Sequence, residues 1–140
     1  MRLPLRPLGL SLCGLIAAAT VLSSCASSTA LQRARVADEL RDFDLAVAEY
    51  TEALRQSPSN REVEVALDRA KTRGSDAHHL RGRKLFADGR HQDAALELQI
   101  AVELNPSNSE AVRALRVARA AIRAELSAPR EGPTDLEALL

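Results

Sequence analysis

The 140-residue sequence contains no tryptophan, two phenylalanines, one tyrosine and two cysteines. Three aromatic residues are too few to form an aromatic core. The interior therefore has to be built from leucine, valine and alanine. β-branched and aromatic residues, which strands favour, are sparse, whereas alanine and leucine, which helices favour, are abundant. The length is that of one domain. The composition therefore predicts an all-α protein.

The chain has no excess of charge of either sign, with 19 basic and 19 acidic side chains. The first 24 residues hold two arginines and no acidic residue, so 17 basic and 19 acidic side chains belong to the rest. A nucleic-acid-binding protein needs a clear basic excess. We therefore expect no nucleic acid among the partners.

The start of the chain has the three-part pattern of a secretory signal. Arg2 and Arg6 form a positive start, residues 8–22 are mostly apolar, and small residues follow. This apolar run of 15 residues is shorter than the roughly 20 residues that a membrane-spanning helix needs. We therefore predict a signal peptide over residues 1–24 in preference to a permanent transmembrane helix.

The end of the apolar run carries a specific motif, Leu22-Ser23-Ser24-Cys25. It resembles the lipobox of bacterial lipoproteins. The resemblance implies cleavage before Cys25, a diacylglycerol on its sulfur and, as a rule, an acylated amino terminus. We expect no other cofactor. Residues 25–30 are then a lipidated tether, and Ala26, by the sorting rule of enteric bacteria, favours the outer membrane facing the periplasm. The alternative is an ordinary signal peptide with an incidental cysteine.

The remaining sequence resembles itself at a spacing of 48 residues. Pro58-Ser59-Asn60 falls on Pro106-Ser107-Asn108, a block that composition does not explain. Further identities are Ala46 with Ala94, Glu49 with Glu97, Ala53 with Ala101, Glu62 with Glu110, and Leu67 with Leu115. Two related structural units are therefore expected.

Each unit predicts two helices around a proline-marked turn. In residues 43–56, apolar side chains recur at steps of three and four, which forms one face of a helix. Pro58 ends this helix because proline cannot continue the hydrogen-bond ladder, and Ser59 with Glu62 predicts a capping box for the next one. The second unit has the same features at Asp93–Leu104, Pro106, Ser107 and Glu110.

Two further helices are predicted from apolar stripes. A long helix from about Ser59 to Asp88 has a stripe at Val63, Leu67, Ala70, Ala77 and Leu80. A final helix from about Ser107 to Leu126 has an apolar side and a polar side. The apolar side comprises Val112, Leu115, Ile122 and Leu126, and the polar side comprises Arg113, Arg116, Arg119 and Arg123. Residues 127–140 are expected to be a flexible tail. Either this tail is a short motif that folds on a partner, or the chain is a truncated piece of a longer protein.

These units resemble the tetratricopeptide repeat family. The second unit carries the resemblance through Gly82, Gly89, Ala94, Ala101 and Pro106, and the first through Ala34, Phe43, Ala46, Tyr50, Ala53 and Pro58, with Arg41 in place of the turn glycine. The resemblance implies helical hairpins over residues 31–126. The family's period is about 34 residues, so the additional residues 61–74 predict about five helices with a long central helix and a C-terminal capping helix.

In this family, the first helix of each unit lines the concave surface that binds protein partners. The resemblance therefore implies partner-binding roles for Arg35 and Glu39 in the first unit and for His79, Arg83 and Phe86 in the second. Phe86 has an alternative role in the core.

No motif in the sequence predicts chemistry. His78, His79 and His91 do not have the spacing of a metal site and are expected at the surface, and the carboxylates do not converge. We therefore expect no enzyme, no bound metal and no small-molecule substrate. The first hypothesis is a membrane-anchored periplasmic adaptor that binds protein partners in envelope or secretion-complex assembly. The second is an accessory factor that positions a peptidoglycan enzyme.

Overall fold

A computed structural model of the chain describes residues 29–128, which form five α-helices and no strand. The helices are α1 at residues 29–39, α2 at Phe43–Gln56, α3 at Arg61–Ala87, α4 at His91–Leu104 and α5 at Ser109–Ser127. The predicted all-α class, the long central helix and the C-terminal helix are confirmed. The signal peptide, Cys25 and residues 129–140 lie outside the described residues. Residues 29 and 30, assigned above to the tether, belong to α1, and Ser127, assigned to the tail, belongs to α5.

The chain forms two compact units that divide between Arg73 and Gly74. The break falls inside α3, so the first half of this helix belongs to unit 1 and the second half to unit 2. Unit 1 also contains α1 and α2, and unit 2 contains α4 and α5.

The core of unit 1 is rich in alanine, as the composition predicts. Alanine side chains are small, so they let helices approach closely, and Tyr50 supplies the largest buried side chain at 3% exposure. The expected apolar face of α2 is confirmed, because its members are buried or half-buried. The buried cluster comprises Ala30, Ala34 and Ala37 of α1, Ala46, Tyr50 and Ala53 of α2, and Val63, Leu67 and Ala70 of α3.

The core of unit 2 is centred on Leu98, which is 1% exposed and packs with Leu115 and Ala118 of α5. Gly82 of α3 lies directly against this leucine. A Cβ atom at Gly82 would lie 2.6 Å from Leu98 Cγ and 3.2 Å from the carbonyl oxygen of Ala94. The glycine therefore permits the close approach of α3 and α4.

Two leucines assigned to apolar stripes are exposed. Leu80 is 69% exposed, because at about 100° per residue it lies roughly 160° around α3 from Gly82, which faces α4. His78 is turned only about 40° from Gly82 and is buried instead. Leu126, in the last turn of α5, is 79% exposed.

The turns confirm the register of the repeat. Arg41 and Gly89, which are 48 residues apart, both adopt the left-handed backbone conformation, with φ of 59° and 76°. The predicted cap residues are wrong by one position. Asn60 and Asn108, and not the serines before them, accept the first free amides, at 3.3 Å from Val63 N and 3.1 Å from Ala111 N. The reason is that α3 and α5 begin at Arg61 and Ser109, directly after these asparagines, and asparagine is as good a cap as serine.

Candidate interaction surface

Two of the predicted partner-binding residues lie on α1 of unit 1. Arg35 and Glu39 are exposed and one helical turn apart. Arg35 Nη2 lies 2.7 Å from Glu62 Oε1 of α3, and these side chains are 49% and 77% exposed. An ion pair this exposed contributes little stability, so Arg35 is free to exchange Glu62 for another acidic group.

The other three predicted residues lie near the end of α3 in unit 2. Arg83 is exposed and His79 is half-buried. Phe86 is half-buried against the core cluster of unit 2, and its ring centroid lies 4.8 Å from that of His91. In the structure Phe86 therefore packs against the core, which is the alternative role given for it above. The five residues are distributed over two units.

Unit 1 has an apolar groove that the sequence analysis missed. The groove lies between α1 and α2, and its most exposed apolar members are Val36 at 46%, Leu40 at 75% and Leu45 at 46%. The complete lining is Gln32, Arg33, Val36, Ala37, Leu40, Asp42, Leu45 and Glu49. The available signal was the spacing of four between Val36 and Leu40, which places them together on a face other than the buried alanine stripe.

The charges around this groove are mostly paired. Arg33 donates two hydrogen bonds of 2.8 Å to the Glu49 carboxylate, which ties α1 to α2. The hydrogen bond from Arg33 lowers the pKa of Glu49 below its usual value, more than burial raises it. Asp42 accepts a hydrogen bond from the amide of Leu45 as the N-cap of α2. Its charge has no cationic partner among the groove residues, so the groove has a net charge of −1.

Unit 2 contains a buried polar network that the sequence analysis also missed. Ser75 is fully buried on α3, and its hydroxyl donates to the carbonyl oxygen of Ala101 at 2.8 Å. Asn108 Nδ2 donates to Ser75 Oγ at 3.0 Å and to Asp76 Oδ1 at 3.2 Å. The same asparagine caps α5, so one side chain joins α3 to the start of α5.

His78 is buried at 4% exposure, which corrects the expectation of a surface histidine. Its Nδ1 lies 2.8 Å from Glu97 Oε2, and Arg81 Nε donates to the same oxygen at 2.9 Å. Burial by itself would raise the pKa of Glu97, but the hydrogen bonds from Arg81 and His78 outweigh it, and the pKa lies below its usual value. His78 and Arg81 of α3 thus both contact Glu97 of α4, and these contacts hold the two helices together.

Residues 29–128 contain neither a candidate metal site nor a candidate membrane span. No group of three or more histidine, cysteine or acidic side chains is placed to hold a metal ion. Within the same range, no helix combines the length and the apolar character needed to cross a membrane.

Comparisons with known proteins add no relative: no protein-family model, no curated protein and no solved structure matches this chain.

Proposed function

We propose that this protein is a membrane-anchored periplasmic adaptor lipoprotein, which holds protein partners at the outer membrane during the assembly of an envelope or secretion complex. The observation that carries the proposal is the groove between α1 and α2. Exposed apolar side chains that lie together on a surface are typical of a protein-binding site, and Val36, Leu40 and Leu45 lie together in this groove.

The groove suits an amphipathic helix of a protein partner. Helix recognition uses a shallow apolar groove that accepts residues from one face of the incoming helix. Leu40 and Leu45 would contact that apolar face. The net charge of −1, which comes from Asp42, favours a partner helix with a basic residue beside its apolar stripe.

The anchor part of the proposal rests on the Cys25 motif and on the basic, apolar and small residues that precede it. A single acyl chain gives only marginal membrane binding, so stable anchoring takes two or more chains. A diacylglycerol on Cys25 with an acylated amino terminus would supply them. The anchor would then concentrate the helical units, and their partner, at one membrane surface.

The first experiment tests the anchor. The wild-type chain and Cys25→Ala are expressed in a bacterial host, fractionated into membrane and soluble parts, and analysed by intact mass. The wild type should start at Cys25, carry added lipid mass and sediment with membranes, and the variant should lose both properties. An uncleaved or unlipidated wild-type product would refute the anchor.

The second experiment tests the adaptor function. Leu40→Glu is compared with Leu126→Glu, a matched control because the two leucines are 75% and 79% exposed. Proteins captured from detergent-solubilised membranes of the native host are identified by mass spectrometry. Secretion or outer-membrane assembly components should be lost with Leu40→Glu and kept with Leu126→Glu. Capture of cell-wall enzymes instead would favour the peptidoglycan hypothesis, and equal capture by both variants would refute the groove as the binding site.

A further inference from the structure

The end of α3 in unit 2 has an exposed leucine beside two unpaired cations. Leu80 is 69% exposed, and Arg83 and Lys84 follow it at helical steps of three and four, so the three side chains share one face. Arg81 next to them is paired with Glu97. Arg83 and Lys84 form no ion pair with any residue between 29 and 128. We call Leu80, Arg83 and Lys84 the cationic face.

The cationic face lies on the same side of unit 2 as the end of α5 at Ser127. The end of α3 at Ala87 is followed closely by the start of α4 at His91. His91 Nδ1 contacts Glu125 Oε1 in the last turn of α5. The ends of α3 and α5 are therefore on the same side of unit 2, and the chain continues from there into residues 129–140.

The residues that continue the chain complement the cationic face in composition. Residues 129–140 contain one basic residue, Arg130, against three acidic residues, and three leucines lie among the latter. The set is Glu131, Asp135, Leu136, Glu137, Leu139 and Leu140. The acidic side chains of this segment complement the charges of Arg83 and Lys84, and its leucines complement the exposed Leu80.

The connecting residues are long enough. The nine residue-to-residue steps from Ser127 to Leu136 extend up to about 30 Å when stretched. Leu80 lies seven residues before Ala87, which is roughly 10 Å along the helix axis. Crossing from α5 past α4 to α3 requires two interhelical steps of about 8–10 Å each. The required distance is therefore within the available reach.

We propose that residues 134–140 of this chain dock on the cationic face, with a leucine against Leu80 and the carboxylates of Asp135 and Glu137 against Arg83 and Lys84. Individual surface ion pairs are weak, but a covalently attached segment binds at a high effective concentration. The contact should therefore form within one chain and weaken as salt rises. It would cover Arg83 until an outside partner displaced the segment. The proposed docking does not depend on the adaptor function, because it occurs within one chain. It can be tested on the purified protein without any partner.

The chain is well suited to a direct test because it contains only two lysines, Lys71 and Lys84. The full chain, purified in detergent, is treated with a water-soluble carbodiimide, which joins lysine amines to carboxylates that touch them. Equal amounts of ¹⁴N and ¹⁵N protein are mixed, so that links within one chain are distinguished from links between copies by mass spectrometry. Lys84 with Asp88, four residues later on the chain, is the internal positive control.

The expected result is a link from Lys84 to Asp135 or Glu137 within one isotope label, with no such link from Lys71. Arg83→Glu should lower this link about threefold, since reversing one charge loses an attraction of the size of a surface pair and adds a repulsion. Arg113→Glu, at an exposed arginine of α5, should leave it unchanged. Tail links absent at Lys84, equally frequent at Lys71, or found only between isotope labels would overturn the proposal, the last because a second copy would then be the occupant.

Discussion

Replacing Arg41 with glycine should stabilise the protein, whereas replacing Gly89 with alanine should destabilise it. The two residues occupy the same turn of the two repeats, and both have positive φ, 59° at Arg41 and 76° at Gly89. Arg41 is exposed, and a Cβ at Gly89 would meet no atom within 4 Å. Packing is therefore not altered at either position, and only the backbone conformation decides the effect.

The magnitude follows from two opposing contributions. The left-handed conformation costs a residue with a Cβ roughly 1–2 kcal/mol. Glycine loses more conformational freedom on folding, which costs about 0.5–1 kcal/mol relative to alanine. The difference leaves about 1 kcal/mol in favour of glycine. Arg41→Gly should therefore raise the free energy of unfolding by about this amount, and Gly89→Ala should lower it by the same amount.

The protein for this measurement lacks residues 1–24 and carries Cys25→Ser. Its unfolding by urea and by heat is monitored by circular dichroism. For a region of about 100 residues, 1 kcal/mol shifts the unfolding temperature by roughly 4–8 °C. Arg41→Ala is the control, because alanine keeps the Cβ and should leave stability near that of the wild type. If Arg41→Gly and Arg41→Ala behave alike, or Gly89→Ala is neutral, backbone strain does not govern these turns.

Two further substitutions test the packing of α3 on α4. Gly82→Ala gains about 1 kcal/mol of helix propensity but places a Cβ 2.6 Å from Leu98 Cγ, and overpacking costs about 1–3 kcal/mol. A net loss of about 1 kcal/mol is expected in the same unfolding assay, and a stabilised variant would contradict the close approach of the two helices. Glu97→Gln should flatten the acid dependence of stability. Because the folded-state pKa of Glu97 lies below the ordinary glutamate value of 4.5, its contribution to stability is present above pH 4.5 and is lost as pH falls through the folded-state value. The difference in unfolding free energy between pH 7 and pH 3 should therefore be larger for the wild type than for Glu97→Gln, and equal differences would show that the carboxylate does not favour the folded state.

The helical class and the approximate helix positions follow from the sequence alone, because they depend on local properties. Alanine and leucine favour helices wherever they pack, and Pro58 stops α2 regardless of its neighbours. The repeat of 48 residues also predicted that Arg41 stands where the second unit has Gly89, and both adopt the left-handed conformation. The cap positions were wrong by one residue because Ser59 and Asn60 are both good caps, and the sequence does not choose between them.

The candidate surface was decided only by the tertiary structure. The periodicity of a helix defines its faces, but it does not say which face a neighbouring helix covers. The sequence therefore predicts Leu80 in the core and His78 at the surface, whereas in the structure Leu80 is exposed and His78 is buried with Glu97. The groove of Val36, Leu40 and Leu45 exists because α1 and α2 pack through alanines on another face and leave these side chains uncovered. Burial is a property of pairs of elements, so it becomes defined only when the helices are packed together.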